Sequence, residues 1–183
     1  MSRERYLYWK FENLYSSQEI EDINKQIDQS IVPKALDVPA EDVVKTADVK
    51  VIDSSKISLL DRMCENIIEA NKNNFGYNIY YEKHLMNYNI YSAQNKARYD
   101  YHLDMIFFNP ASDIKLTAIL NLSTEPYEGG TLYLNTGNEC SIPELKKPGN
   151  MIIFPSFILH KVKPVTKGVR KTLSAWVGGP KFQ

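Results

Sequence analysis

The 183 residues are 43% hydrophobic and 24% charged, the composition of a soluble globular chain with enough apolar side chains for a full core, which excludes a disordered or fibrous protein. The formal net charge is zero, so no overall field points to nucleic acid or to a membrane surface as the partner. No apolar run approaches the roughly 18 residues of a membrane span, and "MSRERYLYWKFENLY" lacks the apolar centre of a signal peptide.

Twelve Tyr and seven Phe suit a β-rich fold. Cys64 and Cys140 lie in no C-x-x-C pair, which argues against a structural zinc or a disulfide framework and for two reduced thiols in a cytoplasmic protein. From residue 141 to 183 eight Lys or Arg face one acid, Glu144. In a fold that interleaves distant strands, such a bias along the chain need not become a surface patch.

In chain order, "SSQEIEDINKQIDQS" opens with Ser16 three residues before Glu19, the pattern of a capping box, and Ile20, Ile23 and Ile27 then make one apolar stripe. Pro33 and Pro39 mark a loop, and "TADVKVID" alternates as a strand does. A second helix is predicted from Ser55 to Asn71 on Leu60, Met63, Cys64 and Ile67, broken by "NKNNFG". Both helices are expected to support a sheet.

From Tyr77 onward the pattern changes to about eight short strands separated by "NPASD", "TEPYEGG" and "KKPG". They read as "YNIYYEK", "LMNYNIYS", "RYDYHLDMIFF", "IKLTAILNLS", "GTLYLNT", "GNMIIFPS", "HKVKPVT" and "RKTLSAWVG". That succession implies a sandwich or jelly roll, mainly β with supporting α-helices. A single domain is expected, with residues 1–76 as N-terminal helical support with strands and 77–183 as the strand core.

One strand carries His102 and Asp104. Alternate strand residues share a face with Cα atoms roughly 6 to 7 Å apart, so both can converge on one object. The chain has three histidines, and His160 follows the buried-looking run "MIIFPSFIL", whereas His84 has no partner in the pattern. Two imidazoles and a carboxylate on one side of Fe(II) leave positions open for substrate and oxygen, although H-x-D alone also fits an ordinary strand. Arg170, Thr172, Ser174 and Trp176 alternate on one face of the last strand. If that face is the buried one, Arg170 requires an anion, and a carboxylate fits its fork; if the other face is buried, Arg170 is solvated.

"HLD", "KLTAILNLSTEPYEGGTLYL", "PGNMIIFPSFILH" and "HKVKPVTKGVRKTLSAWVGGP", in that order across about residues 85–180, resemble the Fe(II)/2-oxoglutarate-dependent oxygenases of the prolyl 4-hydroxylase-like superfamily, including small bacterial and phage members. The resemblance implies a double-stranded β-helix, with His102, Asp104 and His160 as iron ligands and Arg170 as the partner of the distal carboxylate of 2-oxoglutarate. It further implies a dioxygenase that uses Fe(II), 2-oxoglutarate and O2 to hydroxylate a C–H bond, in a bacterial cell or a phage-infected host.

Thr172 resembles the hydroxyl residue of an R-x-S/T carboxylate clamp, with a solvent-facing threonine as the alternative. Tyr99 matches a position where relatives place an aromatic, and Tyr91 or Tyr88 is placed to reach the cosubstrate, with core packing as the alternative for all three. Asn121 either hydrogen-bonds near the iron or faces water. Trp176 either borders the substrate channel or is a core residue. "SAQNKARYDYHLD" departs from the family by lacking a glycine-bearing turn before H-x-D, which bears on the substrate.

The substrate expected from the resemblance is a prolyl residue of a peptide or protein. A free amino acid, a lysyl residue or another small molecule is the alternative within the same chemistry. Neutral charge and the lack of a basic, aromatic groove argue against nucleic acid. A non-enzymatic jelly-roll binding module would share the fold but has no need of two histidines, an aspartate and an arginine at these spacings. Nothing in the sequence separates monomer from dimer.

Overall fold

Ser16 starts the first helix as its spacing predicts. In the computed structural model, which describes residues 6–32, 45–80, 85–104 and 111–182, the Ser16 hydroxyl accepts from the Glu19 amide at 3.3 Å and the Glu19 carboxylate accepts from the Ser16 amide at 2.9 Å. This reciprocal cap satisfies donors that the first helical turn leaves open. Helix α1 (Ser17–Ile27) buries Ile20, Ile23 and Ile27. Pro33 and Pro39 lie outside the described residues.

The second helix is less regular than its apolar spacing predicts. Two 3-10 turns, Ser54–Lys56 and Ser58–Leu60, lead into α2 (Asp61–Ala70). "NKNNF" then does not break the helix but widens it into a π-helical turn, Asn71–Phe75, closed by Gly76 at φ +72°. The asparagines explain the difference, because each serves as a backbone partner. Asn71 bonds both the N–H and the C=O of Tyr77 (2.9 and 2.8 Å), and Asn74 bonds both those of Tyr6 (2.8 and 3.0 Å). With Tyr77 so held, Tyr77–Tyr80 form no strand, contrary to the reading of "YNIYYEK"; residues 81–83 lie outside the described chain.

Twelve strands are described: β1 (Trp9–Phe11), β2 (Asp48–Asp53), β3 (Leu85–Ser92), β4 (Tyr99–His102), β5 (Ser112–Asn121), β6 (Glu128–Gly129), β7 (Leu132–Asn135), β8 (Glu139–Ile142), β9 (Met151–Pro155), β10 (Leu159–Val162), β11 (Val165–Lys167) and β12 (Val169–Pro180). All named pairings are antiparallel. The major sheet runs β1-β9-β5-β12-β3-β2 and the minor sheet β4-β10-β7-β8, with β6 and β11 as a separate ribbon. This is the jelly-roll architecture expected from the strand pattern.

Alternation sorts the major sheet's side chains into two layers. One face, with Leu116, Ala118, Leu120, Leu173 and Ala175, is buried with Ile23, Ile27, Leu60, Met63 and Ile67 of the helical region. The other, with Tyr91, Ile119, Ile152 and Phe154, meets Leu132, Leu134 and Val162 of the minor sheet. The inner layer is where the polar strand residues converge.

Candidate metal centre

Strand pairing brings the two histidines together: β10 runs beside β4 with His160 directly opposite His102. The chain leaves β4 after His102, and the amide of Asp104 is held by the Ser156 carbonyl at 3.1 Å. Asp104 Oδ1 thus lies 3.5 Å from His102 Nε2 and Oδ2 lies 3.4 Å from His160 Nε2, and one ligand atom from each residue falls within 4.8 Å of the others. Neighbouring ligands on a six-coordinate ion with bonds of about 2.1 Å sit roughly 3 Å apart, so the three donors need only a small closure.

Both imidazoles are oriented from behind. His102 Nδ1 lies 2.8 Å from the Asp100 carbonyl and His160 Nδ1 lies 2.8 Å from the Ile158 carbonyl. A carbonyl only accepts, so each Nδ1 carries the proton and each Nε2 presents its lone pair to the centre. Tyr99 stacks on the His102 ring at 3.4 Å between centroids and Phe154 meets the His160 ring edge-on at 4.8 Å. Thr117 donates its hydroxyl to Asp104 Oδ2 at 2.7 Å.

The electrostatics suit a ligand set that stays deprotonated. Burial, helped by the neighbouring His160, lowers His102 to about 4. Burial works against ionisation of Asp104, but His160, Thr117 and Trp176 outweigh it and hold the carboxyl at about 2. The Trp176 indole N–H is buried without a hydrogen bond of its own, yet it lies near enough to Asp104 to favour the carboxylate.

These residues line a cavity of about 360 Å³, open to solvent, together with Tyr91, Arg170, Thr172 and Ser174. The buried alternative for β12 is therefore the one realised: its 170, 172, 174 and 176 side chains all face the cavity. Arg170 is only 1% exposed, lies over the Tyr91 ring at 5.1 Å, and keeps its Nη2 atom without a partner. A buried guanidinium with an open donor is costly unless a ligand anion completes it. The donor set thus fits Fe(II), and the open Nη2 of the guanidinium fits a carboxylate cosubstrate such as 2-oxoglutarate.

One sequence reading is corrected. Asn121 is neither near the centre nor facing water: fully buried, its amide donates to the Leu145 and Lys146 carbonyls at 2.9 Å and accepts from the Ser123 amide at 2.9 Å. It pins the end of β5 to the turn before β9. For Tyr88 the core-packing alternative is the one realised: it points to the helix side and donates its hydroxyl to Asn24 at 2.8 Å. The sequence reading in turn missed Thr117, indistinguishable in sequence from any strand threonine, and Lys45, which also lines the cavity. The glycine-free loop solves its turn with Lys96 at φ +46°.

Known proteins share this family and fold. The family model for the 2OG-Fe(II) oxygenase superfamily matches residues 86–178, and the chain belongs to that superfamily. It is similar to a PKHD-type hydroxylase of Thermosynechococcus vestitus, 48% identical over 69 residues (36% of this chain, 29% of the relative). One of Aliarcobacter butzleri is 28% identical over 139 residues (74% and 53%). The chain therefore spans less than a third of the first relative and about half of the second. Among solved structures it resembles the viral collagen prolyl hydroxylase of Paramecium Bursaria Chlorella virus-1 (TM-score 0.71, 15% identity, covering 98% of this chain and 99% of that one). A Pseudomonas putida prolyl-4-hydroxylase is similar too (TM-score 0.69, 16% identity, 96% and 94%). Among the described residues no helix is long and apolar enough to cross a membrane.

Proposed function

We propose that the protein is a 2-oxoglutarate-dependent dioxygenase that hydroxylates a prolyl residue in a peptide or protein. The observation that carries this reading is the convergence of His102, Asp104 and His160, with both imidazoles oriented by backbone carbonyls, on a cavity that also holds a buried arginine with one unpartnered nitrogen. The names of the structural neighbours favour a prolyl target, and reduced Cys64 and Cys140, not joined in a disulfide, fit a cytoplasmic setting.

Fe(II), with 2-oxoglutarate and O2, would supply the oxidising chemistry, one oxygen atom entering the substrate C–H bond and the other entering succinate as carbon dioxide leaves. The chain's own share is positioning. His102, Asp104 and His160 hold one side of the ion. Arg170 grips the distal carboxylate of 2-oxoglutarate, with Thr172 beside it on the same strand face and Tyr91 beneath the guanidinium. Tyr99 keeps the His102 ring in plane, and half-buried Trp176 stands at the end of the cavity where a substrate side chain enters.

The test is to incubate iron-loaded protein with 2-oxoglutarate and pools of proline-containing peptides. Succinate formation with a one-oxygen mass gain on proline is the expected result. A gain confined to lysyl peptides or free amino acids would move the target while keeping the chemistry, and failure to bind either metal or 2-oxoglutarate would end the enzyme reading.

A further inference from the structure

Lys45 is a cation inside the cavity that the proposed chemistry leaves without a task. It reaches the site from the opposite end of the chain to Arg170, through a single bridge to Tyr99. Its ammonium donates to Asn89 Oδ1 at 2.6 Å and lies 4.9 Å from the centroid of the Tyr99 ring. Among the described residues no carboxylate forms an ion pair with it. A neutral amide oxygen and a ring face stabilise an ammonium only partly once water is removed. Burial accordingly draws its pKa down to about 8, against the pull of Asp104 and with the push of Arg170.

The strand register gives its position along the cavity. On β12, Arg170 stands opposite Tyr91, Thr172 opposite Asn89, and Trp176 opposite Thr117. Thr117 holds Asp104, so Trp176 marks the metal end and Arg170 the far end. Asn89, which also donates to Ser174 Oγ at 3.1 Å, holds the Lys45 ammonium between the two. A dicarboxylate stretched from the histidine–aspartate cluster to Arg170 must pass it.

We infer that Lys45 is a second cationic contact for a carboxylate in this cavity, supplied in the first place by the metal-proximal carboxylate of 2-oxoglutarate. The inference rests on the proposed function and adds to it a residue outside the strand core. A substrate carboxylate is the other source of the same chemistry. The charges make either source reasonable: a bound divalent ion, Asp104, Arg170 and a dianion sum to zero, and Lys45 adds one positive charge that draws in a carboxylate.

The experiment uses the full chain, loaded with Mn(II) in place of iron, and isothermal titration of 2-oxoglutarate into wild type, Lys45→Met and Lys45→Arg. Loss of one charge-assisted contact weakens binding by roughly tenfold or more, so Lys45→Met should show that loss, Lys45→Arg should recover much of it, and Mn(II) affinity should not change. The rise in melting temperature on adding 2-oxoglutarate should shrink in the same order, while the ligand-free melting temperature stays near wild type. Unchanged 2-oxoglutarate binding together with a raised KM for a carboxylate-bearing substrate would assign the contact to the substrate. Unchanged binding and unchanged KM, or a Lys45→Met protein that melts early yet keeps the full ligand-induced rise, would overturn the inference. Failure of the wild type itself to bind 2-oxoglutarate would instead strike the proposed function.

Discussion

At the scale of single residues, the proposed iron ligands depend on groups behind them, and the two kinds of residue should fail differently. His102→Ala removes a donor and should abolish Mn(II) binding measured by electron paramagnetic resonance, with a native circular dichroism spectrum showing that the fold survives. Thr117→Val removes only the hydroxyl that fixes Asp104 Oδ2; metal should still bind, with affinity reduced about tenfold, as for other groups that orient a ligand. The pH profile follows from the same environment. At His102 and Asp104 protons compete with the metal as pH approaches the folded-state values of about 4 and about 2, so the part of Mn(II) affinity owed to these two ligands should be lost only below about pH 5.5. Stability without metal behaves differently. As pH drops below the ordinary 6.5 of histidine, the unfolded chain takes up a proton that buried His102 refuses, so folding weakens between about 6.5 and 4. Urea unfolding at stepped pH checks this. His102, Asp104, His160 and Arg170 were legible in the sequence because two short patterns, H-x-D and the alternating residues from Arg170, stand in order with His160 between them as in the family they resemble. Thr117 and Lys45 were not, because a strand threonine and a loop lysine acquire meaning only from what non-local pairing sets beside them.

At the scale of elements, β12 does the most to shape the site, placing four cavity residues on one face through strict alternation. Its period was readable, but which face was buried depended on the register with β3 and β5. The strand reading failed at Tyr77–Tyr80, where composition favours a strand but the Asn71 side chain already occupies the Tyr77 backbone groups that a ladder would need. The "EGG" turn shows how one element constrains another. Gly130 has φ +64°, and a methyl group there would lie 2.8 Å from Arg170 Cδ and 3.0 Å from Val165 Cγ2. Gly130→Ala therefore adds the cost of a left-handed backbone, about 1 kcal/mol, and pushes the Arg170 stem out of place. Calorimetry should show 2-oxoglutarate binding weakened by roughly tenfold, the size of one lost charge-assisted contact. Mn(II) binding should be unaffected, since the triad sits at the other end of β12.

At the scale of the whole molecule, the division into residues 1–76 and 77–183 describes composition better than folding. The early segment supplies both edges of the major sheet, β1 against β9 and β2 against β3, and its helices cover the sheet's outer face. The sequence showed β2 as the alternating run "TADVKVID" but not β1, which has three residues and pairs with a strand some 140 positions away. Ile20, Ile23, Ile27, Leu60, Met63 and Ile67 are each at most 3% exposed, and burying a side chain of that size contributes about 1.5 to 3 kcal/mol. Six of them amount to roughly 9 to 18 kcal/mol, comparable to the entire net stability of an ordinary domain. Expressed alone, residues 77–183 should therefore leave Leu116, Leu120, Leu173 and Ala175 facing water and two sheet edges open, a surface that promotes aggregation. The fragment should show no cooperative thermal transition and should bind 8-anilinonaphthalene-1-sulfonate strongly. Co-expression with residues 1–76 as a separate chain should restore a single transition, because the missing contacts are non-covalent. A fragment that melts cooperatively by itself and binds Mn(II) would instead make 77–183 an autonomous unit and reduce the helices to an accessory layer.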